Sequence, residues 1–490
     1  MEEFAYGDLL CLSAADKGTA LGLTRKQMLG LMGATAAGSV AASISSSAAG
    51  AAVPDTADIS DAQTIYRDVC VIGGGSAGTY TAVRLGDLGK SVVVVEAKDR
   101  LGGHTETYHD PATGGTVDIG VIVFEEDPLV RNYFNRFGVG LAPIGGFGSS
   151  TTYVDFRTGR RVDYTPPVPT ALPAYYQLIS QYGPIDTVFD LPDPVPRDLV
   201  APFADFVKKY DVGSVVPLVF QYGQGIGNIL DLPALYSINT FGQGVVSNIL
   251  GGAFLTTSAH NNSLLYERAT AHLGDDVLLD SQVLRVDRSS SRVRVLVATP
   301  EGLRLIVAGK LVVTIPPLLR NFAGFDLDAT ECGLFGQFIS GAYYTGVVRL
   351  SGLPAGVSLS NAAAETPYHL PPLPGLYGVS PTGIPGLYNV KYGSPSPLPE
   401  AQVRRDIRTE IQRVAKAGTY PVVFQDLEVF SSHTPFELHV TPGAIAGGFY
   451  RRLNALQGRN RTYYSGAAFQ SHNSTRIWAG TESLLPSIAV

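Results

Sequence analysis

Residues 68–78 read Asp68-Val69-Cys70-Val71-Ile72-Gly73-Gly74-Gly75-Ser76-Ala77-Gly78, and this stretch decides the fold. Its short apolar run, rich in β-branched residues, is the pattern of a strand buried on both faces. The run enters a Gly-x-Gly-x-x-Gly turn without a break. Residues 79–88 then carry Ala82, Leu85 and Leu88 at helical spacing, and Gly89-Lys90 ends that helix. Ser91-Val92-Val93-Val94-Val95 is a second strand, closed by Glu96. Strand, glycine turn, helix, strand and acid together make one βαβ unit of the dinucleotide-binding kind. Gly73 allows the tight turn, Gly75 lets backbone approach a pyrophosphate, and Gly78 lets helix and strand pack closely. The free N–H groups and partial positive charge at the helix start, around Ser76 and Ala77, suit the same anion. Glu96 is placed to accept hydrogen bonds from ribose hydroxyls, and its charge disfavours the 2′-phosphate of NADP.

At 490 residues the chain calls for two domains. A hydrophobic share of 45% with 16% charged residues belongs to a folded chain, not a disordered one. The net charge of -7, with no Lys/Arg cluster, excludes a nucleic-acid partner, which needs a concentrated basic face. Cys11, Cys70 and Cys332 are far apart and form no Cys-x-x-Cys pair, so neither a disulfide framework nor a cysteine zinc site is expected. The histidines show no His-Glu-x-x-His spacing, and no metal is expected. Residues 1–60 are a separate matter. The basic pair Arg25-Lys26, a weakly apolar stretch, small residues at Ala49-Gly50-Ala51 and then Pro54 have the layout of an export signal, similar to a twin-arginine signal with Lys26 in place of the second arginine. The competing reading is a flexible Ala/Ser/Gly extension and a cytoplasmic protein. No later stretch is apolar enough for an integral membrane segment.

The sequence Lys98-Asp99-Arg100-Leu101-Gly102-Gly103-His104-Thr105 resembles the Arg-x-Gly-Gly-Arg signature of the flavin-containing amine oxidase superfamily. His104 stands where that signature has its second arginine, so that charged phosphate contact is not expected; the histidine donates a hydrogen bond there or shapes the loop. The resemblance implies FAD as cofactor, with Arg100, Gly102, Gly103 and His104 beside its pyrophosphate and ribityl chain. Further along, residues 117–124 resemble the strand and turn that reach the flavin ring, which places Val121 and Ile122 there. A helix from Asn262 to Leu273 and a strand ending near Val283 resemble the adenine-contacting segment. Tyr463-Tyr464-Ser465-Gly466-Ala467-Ala468 resembles the last FAD strand and loop, with Gly466 and Ala467 at the cofactor. Residues 475–485 then resemble the helix that points at the flavin's pyrimidine edge. Within the superfamily the chain resembles cyclopiazonate dehydrogenase-like proteins through its Gly-Gly-His variant and the stretches 389–394 and 431–437.

The fold implied is α/β: a discontinuous, Rossmann-like FAD domain from residues 64–150, 265–330 and 455–490. An α+β substrate domain, 151–264 and 331–454, is inserted into it, with a helical segment from Leu199 to Tyr210. The resemblance implies an FAD-dependent oxidase or dehydrogenase taking a hydride from a hydrophobic amine, indole-like or polyenic small molecule, with oxygen or another electron acceptor. Two alternatives stay open: a redox-neutral isomerase of a polyunsaturated substrate, and a non-catalytic flavin-binding protein. Two residues are candidates for chemistry. Lys391, on an apolar strand, matches the lysine that amine oxidases hold near the flavin; the competing reading is a strand-edge lysine facing solvent. His472 is a candidate general base oriented by Asn473, against the plainer reading of a structural histidine. Tyr343, Tyr344, Phe469 and Trp478 are candidates for an aromatic cage, or simply for the core.

Overall fold

A computed structural model describes residues 62–144, 150–252 and 254–490. The export-signal expectation and Cys11 lie outside the described residues. Among the described residues, no helix is long and apolar enough to cross a membrane.

Gln63–Ile72 is the centre of a seven-stranded sheet. Val92–Val95 runs parallel on one side of it and Gly302–Val313 parallel on the other. Val277–Leu278 extends the parallel part beyond Val92–Val95. The long strand Gly302–Val313 has two partners on its far side. Its first half pairs antiparallel with Val293–Thr299, and its last residues pair parallel with Thr462–Tyr464. Side chains of a strand alternate between faces, and both faces here are buried. Val69, Val71, Val92 and Val94 pack with Ala77, Tyr266 and Trp478 on one side. Cys70, Ile72, Val93 and Val95 join the larger core on the other. That double burial is why residues 68–72 and 91–95 are continuous apolar runs and not alternating ones.

The helix Ser76–Asp87 follows the glycine turn, and the last helix, Ser474–Ala489, lies over it, with Tyr80 and Trp478 stacked 5.4 Å apart. A second sheet of eight strands has Ile339–Ser351 and Leu387–Ser394 near its middle. The helix Glu400–Lys416 covers it through Val403, Ile407, Ile411 and Val414. The chain is thus a mixed α/β fold with two main sheets.

Two local expectations are corrected. The helix expected over residues 199–210 is two helices, Arg197–Val200 and Phe203–Tyr210, because Pro202 lacks the N–H that would carry a helix across it. The strand expected to end near Val283 is also two strands. Val277–Leu278 stops at a turn where Asp280 takes φ +48, and Val283 belongs to Gln282–Asp287, paired with Val293–Thr299.

Candidate active site

The glycine turn shows why each small residue is needed. Gly73 has φ +97, and a Cβ on Gly78 would lie 1.8 Å from the Gly73 carbonyl oxygen, so neither position accepts a side chain. Gly75 is different. Its φ is -70, and a Cβ there would meet only the Gly103 Cα, at 3.8 Å. The protein itself leaves that space open. Gly75 caps the helix without a side-chain hydrogen bond, and the first turn holds no acidic residue. The helix start therefore keeps unsatisfied N–H groups and nothing that repels an anion.

The Gly-Gly-His segment closes over this turn: Gly102 N–H donates to the Gly74 carbonyl at 2.8 Å, and a Cβ on Gly103 would lie 2.9 Å from the Gly75 Cα. Arg100 does not stand free. It donates to the carbonyls of Leu101, Gly103 and Thr105 and pairs with Glu106 at 3.1 Å, bracing the loop. Glu96, nearly buried, accepts from the N–H groups of Gly74 (2.6 Å) and Lys98 (2.8 Å). A carboxylate offers about four lone pairs, so two remain for a ribose. Val283 lies near it, since Ser281 N–H donates to the Glu96 carbonyl at 2.9 Å.

Around the helix start are three buried hydroxyls without a well-formed hydrogen bond: Ser76 Oγ, Thr105 Oγ1 and the Tyr266 hydroxyl. The Tyr266 hydroxyl sits among Ser76, Thr105 and Ser474, near enough to feel them electrostatically, in contacts that fall short of good hydrogen-bond geometry. Buried polar groups are ordinarily paired, and a phosphate at the helix start would supply acceptors. On these observations the residues fit FAD: an open cradle at Gly75, unsatisfied donors at a helix start, and a carboxylate with spare lone pairs. Ser76 and Ala77 begin that helix, while Gly466 and Ala467 follow the strand Thr462–Tyr464, with a Cβ on Gly466 reaching 4.0 Å from Ala77.

The Val121-Ile122 turn is pinned by a residue the sequence reading did not single out. Asn262 donates from Nδ2 to the carbonyls of Val121 (2.8 Å) and Ile122 (3.2 Å), and its N–H donates to Asp118 at 2.9 Å. Burial pushes Asp118 up to about 6. A polar residue at the start of a predicted helix was visible in the sequence; its long-range partners were not.

Beyond the loop lies a cluster of rings. His104 stacks on His433 with centroids 4.4 Å apart, and Phe436 lies 6.0 Å from His104 and 4.1 Å from His472. Tyr343 packs against both His433 and Phe436. Of the aromatic cage expected from sequence, only Tyr343 is in this cluster. Trp478 is core, packed on Tyr80 and Phe124; Phe469 lies on Tyr464; Tyr344 donates to the Leu398 carbonyl. Their apolar surface is worth more buried in the core than at a cavity.

Lys391 occupies an interior strand, opposite Thr345 on one side and Gly378 on the other, so it is not on a sheet edge. Its charge weighs on His433. His104, Lys391 and His472 each keep some accessible surface. Yet desolvation by surrounding protein lowers them to about 3, about 8 and about 4 respectively. The three lie in one region: His104 feels the charge of His472, and His433, stacked on His104, feels that of Lys391. Asn473 does not orient His472, contrary to expectation. Its side chain caps the last helix, accepting from Thr475 N–H, and donates to Glu125. His472 instead accepts at Nε2 from the Glu437 N–H, at 3.0 Å. Glu437 is buried, its Oε2 without a hydrogen-bond partner, and burial pushes it up to about 8. The open cleft of about 640 Å³ beside Tyr182, Leu191 and Asp198 contains none of these residues. Among the described residues there is no group of three or more side chains that could hold a metal ion.

A glycine turn fitted to a dinucleotide, a second glycine pair closing on it and a cluster of buried rings beyond define a flavoenzyme-like site, and the chain belongs to the flavin-containing amine oxidoreductase family, whose model matches residues 76–323. It is similar to the FAD-dependent oxidoreductase oblC of Cochliobolus heterostrophus, 39% identical over 86% of this chain and 91% of that protein. It is 36% identical to the beta-cyclopiazonate dehydrogenase of Aspergillus oryzae, over 87% of this chain and 94% of that one. Among solved structures, a fatty acid isomerase from P. acnes aligns with TM-score 0.70 at 18% identity, covering 86% of this chain and 99% of that one. Wild-type putrescine oxidase bound to putrescine aligns with TM-score 0.62 at 17% identity, over 87% of this chain and 100% of that one. At such identities the structures share the fold alone. By family and near relatives the chain is an enzyme, an FAD-dependent oxidoreductase.

Proposed function

We propose that this chain is a dehydrogenase or oxidase of a hydrophobic small molecule, with FAD held along the Gly73–Gly78 turn and the reacting molecule beside His104, Lys391 and His472. The FAD domain comprises residues 64–150, 265–330 and 455–490, and the substrate domain the inserted segments 151–264 and 331–454. The observation that carries the reading is the open space at Gly75, which the fold leaves free where Gly73, Gly74, Gly78 and Gly103 are tightly filled. Bound FAD supplies the acceptor for a hydride; the protein positions, encloses and tunes.

Ser76 and Ala77 N–H groups and the helix dipole neutralise the pyrophosphate. Glu96 would bind the ribose hydroxyls and Val283 would flank the adenine. Gly102, Gly103 and His104 would lie beside the pyrophosphate and ribityl chain, Val121 and Ile122 would reach the flavin ring, and Gly466 and Ala467 would line the cofactor. The ring cluster Tyr343, His433 and Phe436 presents flat, uncharged faces that favour a planar or conjugated substrate over a flexible polar one. Lys391, with a lowered pKa, accepts a proton as the substrate is oxidised. That the A. oryzae relative is a beta-cyclopiazonate dehydrogenase supports a small organic substrate. The export reading of residues 1–60 is part of this proposal only as an address.

The test is the visible spectrum of purified protein before and after acid precipitation, followed by anaerobic addition of candidate substrates. Flavin bands that bleach with substrate and return with an electron acceptor support the reading. Product formation without need of any acceptor points to isomerisation. A colourless protein that cannot be reconstituted with FAD overturns the proposal.

A further inference from the structure

Glu437 is held in an unusual way. It has φ +45, a conformation costly for a residue with a Cβ, and it is 2% exposed. In this conformation two of its groups face one ring nitrogen. Its backbone N–H donates to His472 Nε2 at 3.0 Å, and its Oε2 lies 3.4 Å from the same atom with no hydrogen-bond partner of its own. Among the described residues, no Lys or Arg pairs with the carboxyl. The titratable neighbours are His472, His439 (whose Nδ1 lies 3.1 Å from the Glu437 carbonyl), and the Tyr236 and Tyr450 hydroxyls, which feel the Glu437 charge. On the adjoining elements are His433, His104 and Lys391.

A neutral imidazole has one acceptor and one donor nitrogen. With Nε2 accepting, the proton sits on Nδ1, and the ring has no free lone pair with which to take a proton from substrate. We propose that Glu437 is the positioning residue for His472, its backbone N–H taking the single Nε2 lone pair so that the ring offers a fixed Nδ1–H donor and does not act as a base. This deepens the function proposed above and rests on it for its consequence. His472 immediately precedes the last helix, whose Thr475 and Arg476 N–H groups are taken by the Asn473 side chain, and its Nδ1–H suits a hydrogen-bond acceptor that gains negative charge during reduction. Burial explains the chemistry of the clamp: both groups are kept uncharged, Glu437 as the acid and His472 as the free base. Proton removal is thereby left to Lys391.

The test reads the groups and not turnover, so its failure is distinguishable from failure of the functional reading. Holoprotein labelled with ¹⁵N-histidine is followed by NMR, the His472 signals assigned by their loss in His472→Asn. The expected spectrum is a neutral Nδ1–H tautomer that does not titrate between about pH 5 and about pH 8, the range where an ordinary imidazole does. An infrared band of a protonated carboxyl, present at neutral pH and absent in Glu437→Gln, is expected alongside. Glu437→Gln and Glu437→Leu both keep the backbone N–H, so the tautomer persists in each. An Nε2–H tautomer or ordinary titration in the unsubstituted protein overturns the proposal, whether or not Glu437→Leu folds. So does a folded Glu437→Gln or Glu437→Leu protein that loses the tautomer.

Discussion

Replacing Gly75 by alanine separates two explanations of the glycine turn that sequence alone cannot separate. If the turn exists for packing, every glycine in it should be needed by the apoprotein. The geometry says otherwise. Alanine at 75 keeps an allowed φ of -70 and meets only the Gly103 Cα, at an ordinary 3.8 Å. Two small effects oppose each other. Reduced freedom of the unfolded chain stabilises by about 0.4–1 kcal/mol, and a poorer N-cap costs up to about 1 kcal/mol. The apoprotein should therefore unfold within about 1 kcal/mol of the unsubstituted chain. Gly78→Ala is the contrast. Its Cβ would sit 1.8 Å from a backbone oxygen, and the first strand and helix cannot both stay in place. A cost of several kcal/mol is expected, of the size seen when cores are overpacked. FAD affinity should tell the reverse story at position 75. A methyl in the space reserved for pyrophosphate costs about 3 kcal/mol or more, roughly a hundredfold in Kd. The assays are denaturant unfolding of stripped protein and a fluorescence titration with FAD, with the holoprotein's thermal shift as a check on the linkage. A Gly75→Ala protein that binds FAD as tightly as the unsubstituted chain would refute the reasoning, because the open space would then not be the phosphate cradle.

Tyr266→Phe removes a buried hydroxyl that has no well-formed partner, so apoprotein stability should stay level or rise by about 1 kcal/mol while FAD affinity falls severalfold; equilibrium unfolding and FAD titration on the same sample check both. The rate of substrate-dependent flavin bleaching should rise with pH through about 8 as Lys391 loses its proton, and fall again as Glu437 ionises over the same range. In Lys391→Met the rising limb disappears, and in Glu437→Gln the falling one; stopped-flow rates across pH decide this, since coupled limbs are assigned only by removing one group at a time. His104 and His472 have folded pKa values below the ordinary imidazole value. Their neutral burial therefore contributes stability that is fully present above about 6.5 and is lost as pH falls toward 4 and below. Urea midpoints should drop between about pH 6 and pH 4, and His472→Phe, which cannot titrate, should flatten part of that slope.

What was legible in the sequence follows from the range over which each signal acts. The βαβ unit could be read because its requirements are local. Double burial forces a continuous apolar run at 68–72, and the turn demands glycine where φ is +97 at Gly73 or where a Cβ would strike Gly73 from Gly78. Lys391 could be singled out because a charge in an apolar strand is costly enough to need a reason, though only the sheet order shows that its strand is interior. Local signals misled where one residue ends an element: Pro202 split an amphipathic helix, and Asp280 split a strand. The ring cluster lay beyond reach. His104, His433, Phe436 and His472 are hundreds of residues apart in part, and no periodicity links them; they meet because the Gly-Gly-His loop, the turn after Val423–Ser432 and the start of the last helix converge. Asn473 shows the error such distance produces. A histidine followed by asparagine looks like a base and its orienting amide, but the helix that starts there has a stronger claim on the amide, because the Thr475 N–H would otherwise be an unpaired donor. His472 must then find its partner elsewhere, and among the described residues its Nε2 takes its hydrogen bond from the Glu437 N–H. The part of the site that binds cofactor is thus written in consecutive residues. The part that distinguishes this enzyme's chemistry is written in tertiary contacts, and substitutions there, not in the glycine turn, are the ones that should change its substrate.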